Sequence, residues 1–355
     1  MLDDRSLAFL KRLLDAPGPS GFEHVPARIW REEARAFASV EVDVGGNSLA
    51  AVNPQGAPRV MLAGHVDEIG VMVVHVDDEG FVHFGPIGGW DSQVLVGQRV
   101  VLQGRDGPVP GVVGKKAVHM MKPDEKDKIS KITDLWIDIG AANKAEALER
   151  LRVGDAGVIA CQSLDLPNGR LVSRSIDNRI GAFVVLEALR RLAAEPPRAA
   201  VVAVATTQEE IGTTGGGART SAFRVEPRAA VVVDVTHATD FPGAEKKEQG
   251  DVKLGGGPVL ARGSAVSRVV FDQLVAAAEA EGIPFAIEAA PRYTSTDADQ
   301  VYTSRTGVAT GLVSVPCRYM HSPNELVATD DLDRAAALLA AWVRRLEPAT
   351  SFIPA

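Results

Sequence analysis

The sequence predicts an α/β protein in which helices flank a mostly parallel sheet, with a β-rich module inserted into the chain. Three observations predict this class. Apolar runs alternate with helical patterns before residue 68 and again from residue 170 onward. These runs are apolar throughout, as is typical of strands that helices cover on both faces of a parallel sheet. Between residues 69 and 168 the runs become short, valine-rich and closely spaced, which indicates antiparallel strands.

The N-terminal part of the chain predicts two helices followed by two strands. Helical spacing is shown by Leu7, Leu10, Leu13 and Leu14. The segment APGPSGFE interrupts this pattern, and EHVPARIWREEARAFA resumes it. The following segment, NSLAAVNPQGAPRVMLAGH, predicts two strands around a Pro/Gly turn, the second ending near His65.

The middle of the chain predicts a compact β-module. Its strand-like runs are VMVVHVDDEGFVHF, QRVVLQG, PVPGVVG and AGVIACQ. NKAEALERL predicts a short helix, and the charged run KPDEKDKISK predicts a solvated loop. We therefore expect residues 1–68 and 169–355 to form one α/β domain, and residues 69–168 to form an insertion between its two parts.

The C-terminal part predicts alternating helices and buried strands. The predicted helices are RIGAFVVLEALRRLAAE, RVVFDQLVAAAEAEG and DLDRAAALLAAWVRRL. The predicted strands are RAAVVAVATT, RAAVVVDVT, PFAIEAA and GVATGLVSV. Strands separated by helices favour parallel pairing, because two parallel neighbours need a long crossover connection, which is usually a helix.

The composition indicates a soluble cytoplasmic protein. A net charge of −8 over 355 residues argues against nucleic acid or an anionic membrane as the main partner. Two cysteines are too few for a disulfide framework and fit a reducing compartment. The N-terminal pattern is charged and amphipathic, so no secretory signal is expected, and no stretch approaches the roughly 20 apolar residues of a membrane span.

The unusual polar residues of this sequence follow predicted strands or precede a helix. In open α/β sheets, ligands bind in the crevice beyond the carboxyl ends of the strands. The residues that we expect there are His65, Asp67, Asp177, Glu209, Glu210, Asp234 and His321. Histidines mixed with carboxylates are the ligands of zinc, cobalt or manganese, and without cations so many carboxylates would repel or take up protons. We therefore predict a pair of divalent ions at this edge of the sheet.

Each of these residues also has an ordinary structural explanation when it is taken alone. Asp177 could cap a helix, His65 could be a satisfied polar neighbour, and Asp234 could be a turn residue. Asp67 could be a simple loop acid, or it could accept the second imidazole N–H of His65 and orient the ring. The convergence of the whole set on one sheet edge favours the metal site.

Glu209 and Glu210 are adjacent carboxylates at the end of a predicted buried strand. Neighbouring strand residues point to opposite faces, so both can reach one site only where the strand ends and the backbone turns. The IGTTGGG that follows permits such a turn. One carboxylate can then bind metal while the other stays off the ions and acts as a general base toward a water. The residues alone leave open which glutamate has which role.

Several motifs, in their order along the chain, are similar to those of a known family. They are PGPSGFE, GHVDEIG, SIDNRIGA, TTQEEIGTTGG, VVDVTHATDFPG and YMHSPNE. Together they resemble metallopeptidase family 42, aminopeptidases that assemble as tetrahedral shells and include proteins mislabelled as cellulases or endoglucanases. The resemblance covers essentially the whole chain. It implies a phosphorylase/hydrolase-like catalytic domain, an inserted β-barrel-like dimerisation domain and a dodecameric homo-oligomer.

The resemblance also implies a set of metal ligands. Asp177 would bridge two divalent ions per subunit, zinc in the first place, or else cobalt or manganese. His65 and Asp234 would complete one metal site, and Glu210 and His321 the other.

The implied activity is hydrolysis of the N-terminal residue of short peptides through a metal-activated bridging water. Glu209 would be the general base, and Asp67 would orient His65. The peptide bond between Asp177 and Asn178 is expected to be cis.

Three other functions fit parts of the same pattern. A di-metal deacylase or dipeptidase would use the same residues on an N-acyl amino acid or a modified dipeptide. A glycosidase fits poorly, since it needs two carboxylates flanking an acetal and no metal pair. A non-enzymatic metal-binding module leaves the spare glutamate without a purpose, and closed structural sites usually favour Cys and His.

Overall fold

The computed structural model describes residues 2–212 and 216–354. Within these residues, no helix combines the length and apolar character needed to cross a membrane. The helices are α1 Asp4–Asp15, α2 His24–Ala34, α3 Ser92–Leu95, α4 Pro123–Lys126, α5 Lys144–Arg150, α6 Ile176–Ala194, α7 Gly217–Val225, α8 Lys246–Gln249, α9 Arg268–Ala280, α10 Ala298–Val301 and α11 Thr329–Arg344.

The strands lie in three sheets. They are β1 Ser39–Val42, β2 Ser48–Val52, β3 Arg59–His65, β4 Gly70–Val76, β5 Val82–Ile87, β6 Arg99–Gly104, β7 Gly107–Gly114, β8 Trp136–Asp138, β9 Ala156–Ile159, β10 Leu164–Leu166, β11 Arg170–Ser173, β12 Ala200–Thr206, β13 Ala229–His237, β14 Val259–Gly263, β15 Ala286–Ala290, β16 Ala309–Cys317 and β17 Glu325–Ala328.

The largest sheet has eight strands in the order β1-β2-β12-β3-β13-β16-β14-β15. The four middle strands are parallel to one another. Towards the edges, β2 runs antiparallel to β12, and β14 runs antiparallel to β16. The strands come from both sides of the β-module in the sequence. The mostly parallel sheet with flanking helices confirms the predicted fold class.

Strand β3 shows why the central strands are apolar throughout. Val60 and Leu62 pack in the core that contains α6, whereas Met61 and Ala63 pack in a second core that contains α7. All four side chains are fully buried. Because successive side chains point to opposite faces, a strand covered on both sides has no position left for a polar residue.

Helix α6 lies directly on β3 and β13, because Gly64 and Gly181 have no side chain at the contact. A Cβ atom on Gly64 would collide with the backbone of Gly181, and one on Gly181 would lie 2.6 Å from the carbonyl oxygen of Val233. Every residue of the helix from 176 to 189 is buried. This close packing places the first turn of α6, which contains Asp177, beside the carboxyl end of β3.

The β-module is a closed barrel of six strands in the order β4-β5-β8-β7-β6-β9, with a hydrophobic core of its own. Pairing of β4 with β9 closes it. All of its strands lie between Gly70 and Ile159. The predicted helix NKAEALERL is α5. The charged run, predicted as a loop, contains the single helical turn α4, and the described side chains of α4 are exposed.

A third sheet of three antiparallel strands, β10-β11-β17, has no counterpart in the sequence prediction. Strand β11 leads into α6, and β17 leads into α11. This sheet therefore holds the start of the central helix against the C-terminal part of the chain.

Candidate active site

A cavity of about 1160 Å³ opens at the carboxyl ends of the parallel strands. Six of the seven predicted site residues line it, namely His65, Asp177, Glu209, Glu210, Asp234 and His321. The seventh, Asp67, lies behind the imidazole of His65, fully buried. The seven residues therefore lie together beyond the carboxyl ends of the parallel strands, where open α/β sheets bind their ligands.

His65 is the last residue of β3, and Asp67 follows it two positions later. Their contact joins Nδ1 of His65 to Oδ1 of Asp67 at 3.3 Å, which leaves Nε2 of His65 facing the cavity. Burial opposes ionisation of Asp67, but the charge of His65 and two backbone amides hold its pKa below the ordinary value. Asp67 is thus a carboxylate that stays ionised behind the ring, as an orienting partner requires.

The two adjacent glutamates lie in a turn after β12, which ends at Thr206. Gln208 has φ 60°, in the left-handed region, so the chain has left the extended conformation before Glu209. The backbone N–H of Glu209 donates to Oδ1 of Asp67 at 3.2 Å, and that of Glu210 donates to Oδ2 at 3.1 Å. Both carboxylates consequently reach one cavity. Of the glycine-rich segment that was expected to permit this turn, residues 213–215 lie outside the described residues.

Asp177 lies between the two histidines of the site. Its Oδ1 lies 3.3 Å from Nε2 of His65, and its Oδ2 lies 3.4 Å from Nε2 of His321. Nε2 of His321 is also 3.5 Å from Oε2 of Glu210. Burial opposes ionisation of Asp177, but the contacts with His321 and His65 hold its pKa well below the ordinary value. The peptide bond that joins Asp177 to Asn178 is cis, as expected.

Asp177 does not cap α6. The residue before the helix is Ser175, and the backbone angles of Asp177 are not helical. Its side chain points to the cavity instead of the free amides of the helix. The capping explanation that the sequence left open is therefore wrong.

Two groups of side chains offer ligand atoms that all lie within 4.8 Å of one another. The first group is His65, Asp177 and Glu210. The second is His65, Glu209 and Asp234. Glu209 is thus close enough to join the ligands: its Oε2 lies 3.8 Å from Nε2 of His65.

Burial and like charges raise the pKa values of three carboxyl groups in the cavity. Burial raises the pKa of Glu209 to about 9, and the charge of Asp234 adds to this rise. The pKa of Glu210 is raised well above its ordinary value by burial and by the charge of Asp177. Burial and the charge of Asp177 likewise raise the pKa of Asp234. Carboxylates gathered in this way need cations nearby to be ionised at neutral pH.

The donor set fits divalent metal ions. It combines imidazole nitrogens with carboxylate oxygens, which suit zinc, cobalt and manganese. Within the described part of the chain, Oε1 of Glu210 is a buried oxygen without a hydrogen-bond partner. A buried carboxylate oxygen is costly to leave unpaired, and a metal ion would satisfy it.

Sequence reasoning missed several buried polar residues around the site. Glu325 accepts the backbone N–H groups of Asp177 and His321. Asp297 accepts a hydrogen bond from the hydroxyl of Thr206, and burial raises the pKa of Asp297 to about 6. The motif YMHSPNE contains Glu325, but nothing in its spacing shows which amides a buried carboxylate will contact.

A buried ion-pair network also escaped prediction. Arg179 and Arg174 both pair with Glu68, which follows Asp67 in the chain. Arg179 is fully buried and donates from Nε to the carbonyl of Val66 at 3.0 Å. The network ties the start of α6 to the segment that carries His65 and Asp67.

Comparisons with known proteins agree with this geometry. The sequence model of the M42 glutamyl aminopeptidase family matches residues 46–338 of this chain. A lysyl aminopeptidase of Pyrococcus furiosus is 34% identical over 349 residues, which cover 96% of this chain and 97% of that protein. The crystal structure of a TET aminopeptidase from a marine sediment archaeon of the Thaumarchaeota has a TM-score of 0.92 and 35% identity, covering 97% of both chains.

A second solved structure is the TET1 peptidase of Pyrococcus horikoshii, which can assemble into a tetrahedron or a large octahedral shell. It has a TM-score of 0.84 and 30% identity, covering 96% of this chain and all of that chain. The chain described here is therefore a peptidase and belongs to the M42 glutamyl aminopeptidase family.

Proposed function

We propose that this protein is a di-metal aminopeptidase that removes the N-terminal residue of short peptides. The observation that carries the proposal is the position of Asp177, whose two carboxylate oxygens face two different histidines. A carboxylate that presents one oxygen to each of two ligand sets has the arrangement required to bridge a pair of ions.

We assign the ligands as two sets that share Asp177. His65 and Asp234 complete one set, and Glu210 and His321 complete the other. Support comes from the 3.5 Å contact of His321 with Glu210 and from the grouping of His65 with Asp234. When bound, a pair of divalent ions would polarise the scissile carbonyl and lower the pKa of a water molecule. We propose zinc as the metal, with cobalt and manganese as alternatives that the same donors accept.

Glu209 is the proposed general base. Burial raises the pKa of Glu209 to about 9, so its carboxyl group has a high proton affinity. Positive charge beside it would bring that pKa toward neutrality, where a carboxylate can take a proton from the attacking water and return it to the leaving amine. Its backbone N–H is fixed by Asp67, so its position in the turn is defined.

Asp67 is proposed to position two elements of the site together. It contacts Nδ1 of His65 and accepts both backbone N–H groups of the glutamate pair. One carboxylate therefore fixes the ring of a ligand and the backbone of the base, which is the role of an outer partner in metal enzymes.

We further propose that the chain forms a homo-oligomeric shell, a dodecamer built from dimers. Residues 1–68 and 169–355 would be the catalytic domain, and residues 69–168 the dimerisation domain. The barrel with a separate core and the similarity to a shell-forming peptidase support this proposal. A shell would restrict access to short peptides. Light scattering at micromolar concentration, with metal present, tests it: a sharp monomer peak would contradict it.

The activity is tested with a panel of aminoacyl-anilides and with an N-acetylated peptide anilide. Chelator treatment should abolish hydrolysis of the free-amine substrates, and zinc, cobalt or manganese should restore it. The N-acetylated substrate should remain uncleaved. Its cleavage would instead favour the deacylase, and hydrolysis that survives complete metal removal would contradict the proposal.

A further inference from the structure

Glu325 is a buried carboxylate that contacts the backbones of two proposed metal ligands. Only 2% of the residue is exposed. Its Oε2 accepts the backbone N–H of Asp177 at 2.9 Å, and its Oε1 accepts that of His321 at 2.8 Å. One side chain therefore connects the first turn of α6 to the loop that follows β16.

Both of these ligands lie at irregular positions of the backbone. Asp177 has φ −76° and ψ 105°, so the helix does not define its conformation although it lies inside α6. His321 has φ 58°, in the left-handed region that residues other than glycine rarely adopt. The left-handed conformation of His321 persists only where the surrounding structure fixes it. The hydrogen bonds that Glu325 accepts from the two backbone N–H groups hold both residues in place.

Glu325 is itself held by regular structure. It is the first residue of β17, and it pairs with Ser173 of β11, the strand that leads into α6. The next residue, Leu326, exchanges two backbone hydrogen bonds of 3.0 Å with Arg318, shortly before His321. The strand β17 thus lies between the two segments that Glu325 joins.

The type of side chain matters for this contact. A carboxylate has two oxygens that accept hydrogen bonds, so it can hold two N–H groups at once. An amide of the same length has one acceptor oxygen, and its NH₂ group would face the second N–H as donor against donor. Replacement of Glu325 by Gln therefore removes one of the two contacts while keeping the size of the side chain.

We propose that Glu325 is a positioning residue that fixes Asp177 and His321 for metal binding. The proposal rests on the two-metal function proposed above. Because Asp177 is shared whereas His321 serves one ion, the ion held by Glu210 and His321 should depend on Glu325 more than the other ion does.

Cobalt binding to the metal-free protein tests this inference without reference to activity. E325Q should raise the dissociation constant of one of the two Co²⁺ ions about 10- to 100-fold, the usual effect of losing an outer partner of a metal ligand. The visible absorption bands of bound Co²⁺, which report its coordination geometry, should change in parallel. The Co²⁺ concentration that gives half-maximal hydrolysis should shift by the same factor.

Asp331 provides a matched control. It is also fully buried, and its two oxygens accept the backbone N–H groups of Gly255 and Gly257 at 2.7 and 2.8 Å. These glycines do not line the cavity. D331N should lower the temperature of unfolding while leaving Co²⁺ affinity within about threefold of wild type, well below the loss expected for an outer partner.

The inference is overturned if E325Q binds both ions with wild-type affinity, or if D331N loses as much affinity as E325Q. If E325Q fails to fold, E325D tests the same inference. Its shorter side chain cannot accept both backbone N–H groups at the present distances, so the same loss of Co²⁺ affinity is expected. Failure of the proposed function has a different signature. It would show in the wild-type protein, as fewer than two bound Co²⁺ ions or as hydrolysis that survives chelation.

Discussion

Oδ1 of Asp177 lies 3.3 Å from Nε2 of His65, although Asp177 lies in the first turn of a helix and His65 ends a strand. The contact depends on the close packing of α6 against β3. The second oxygen of Asp177 lies 3.4 Å from Nε2 of His321. The carboxylate therefore joins the central strand, the central helix and the loop after β16 at a single point of the cavity.

Replacement of Asp177 by Asn should lower metal occupancy at both sites. An amide is neutral and offers a single acceptor oxygen, so it cannot supply the shared negative charge. Metal affinity should fall by more than about 10- to 100-fold, which is the usual loss when a residue that hydrogen-bonds to a metal ligand is replaced. Elemental analysis of the purified variant measures it, and two ions per chain retained in D177N would exclude the bridging role.

Glu209→Gln should separate catalysis from metal binding. If Glu209 moves the proton from water to the leaving amine, kcat should fall about 100- to 10,000-fold, because base and acid roles are lost together. Metal content should stay close to two ions per chain, since Glu209 is not an assigned ligand. Turnover within about tenfold of wild type would refute the assignment. A large loss of metal would instead make Glu209 a ligand, as its place beside His65 and Asp234 allows.

The stability of the metal-free protein should fall as pH rises. The pKa of Glu209 is raised by burial from 4.5 to about 9, so the folded state keeps a proton that the unfolded chain releases. The resulting stabilisation is full below pH 4.5 and is lost as pH rises through about 9. Glu23, whose pKa burial raises to about 7, contributes with the same sign. Asp67 and Asp177, with lowered pKa values, act only at acid pH.

Thermal unfolding of the chelator-treated protein between about pH 5 and about pH 9 measures this dependence. E209Q is the control, because its amide is neutral at every pH. Relative to E209Q, the wild type should lose stability toward high pH. Unfolding temperatures of the two proteins that remain parallel over this range would contradict the assigned environment of Glu209.

Replacement of Gly181 by Ala should destabilise the protein by about 1–3 kcal/mol, the usual cost of overpacking a core. The added methyl group would meet the carbonyl of Val233 at 2.6 Å and the side chain of Asn178. Urea unfolding measures the loss. Gly85, on β5 of the barrel, is a suitable control, because its nearest neighbour would be Val74 Cγ2 at 3.4 Å. Equal stabilities of G181A and G85A would contradict the close packing of α6 on the central sheet at Val233 of β13.

The sequence predicted those parts of the fold that depend on local patterns. The apolar runs of β12, β13 and β16 and the helices α6, α9 and α11 were found because burial imposes a continuous pattern on each. The short strands β1, β14 and β17 were not found, since they are four or five residues long and gain their order from tertiary pairing. Closure of the barrel depends on the pairing of β4 with β9, which could not be predicted from local sequence patterns because the two strands are far apart in the chain.

The candidate site divides in the same way. Residues such as His65 and Asp234 could be assigned to one site from the sequence, because the carboxyl ends of parallel strands lie at the same edge of the sheet. Glu325 and Arg179 could not, because they contact the backbone N–H of Asp177 and the carbonyl of Val66, which are distant in sequence. The second contact of Asp67, with the backbone of the glutamate pair, is of this kind as well.

The central claim is that two divalent ions share Asp177. Anomalous diffraction from a crystal grown with excess zinc tests it most directly. We expect two peaks in the cavity, one beside His65 and Asp234 and the other beside Glu210 and His321, each within bonding distance of one oxygen of Asp177. A single peak, or two peaks of which only one touches Asp177, would contradict the account.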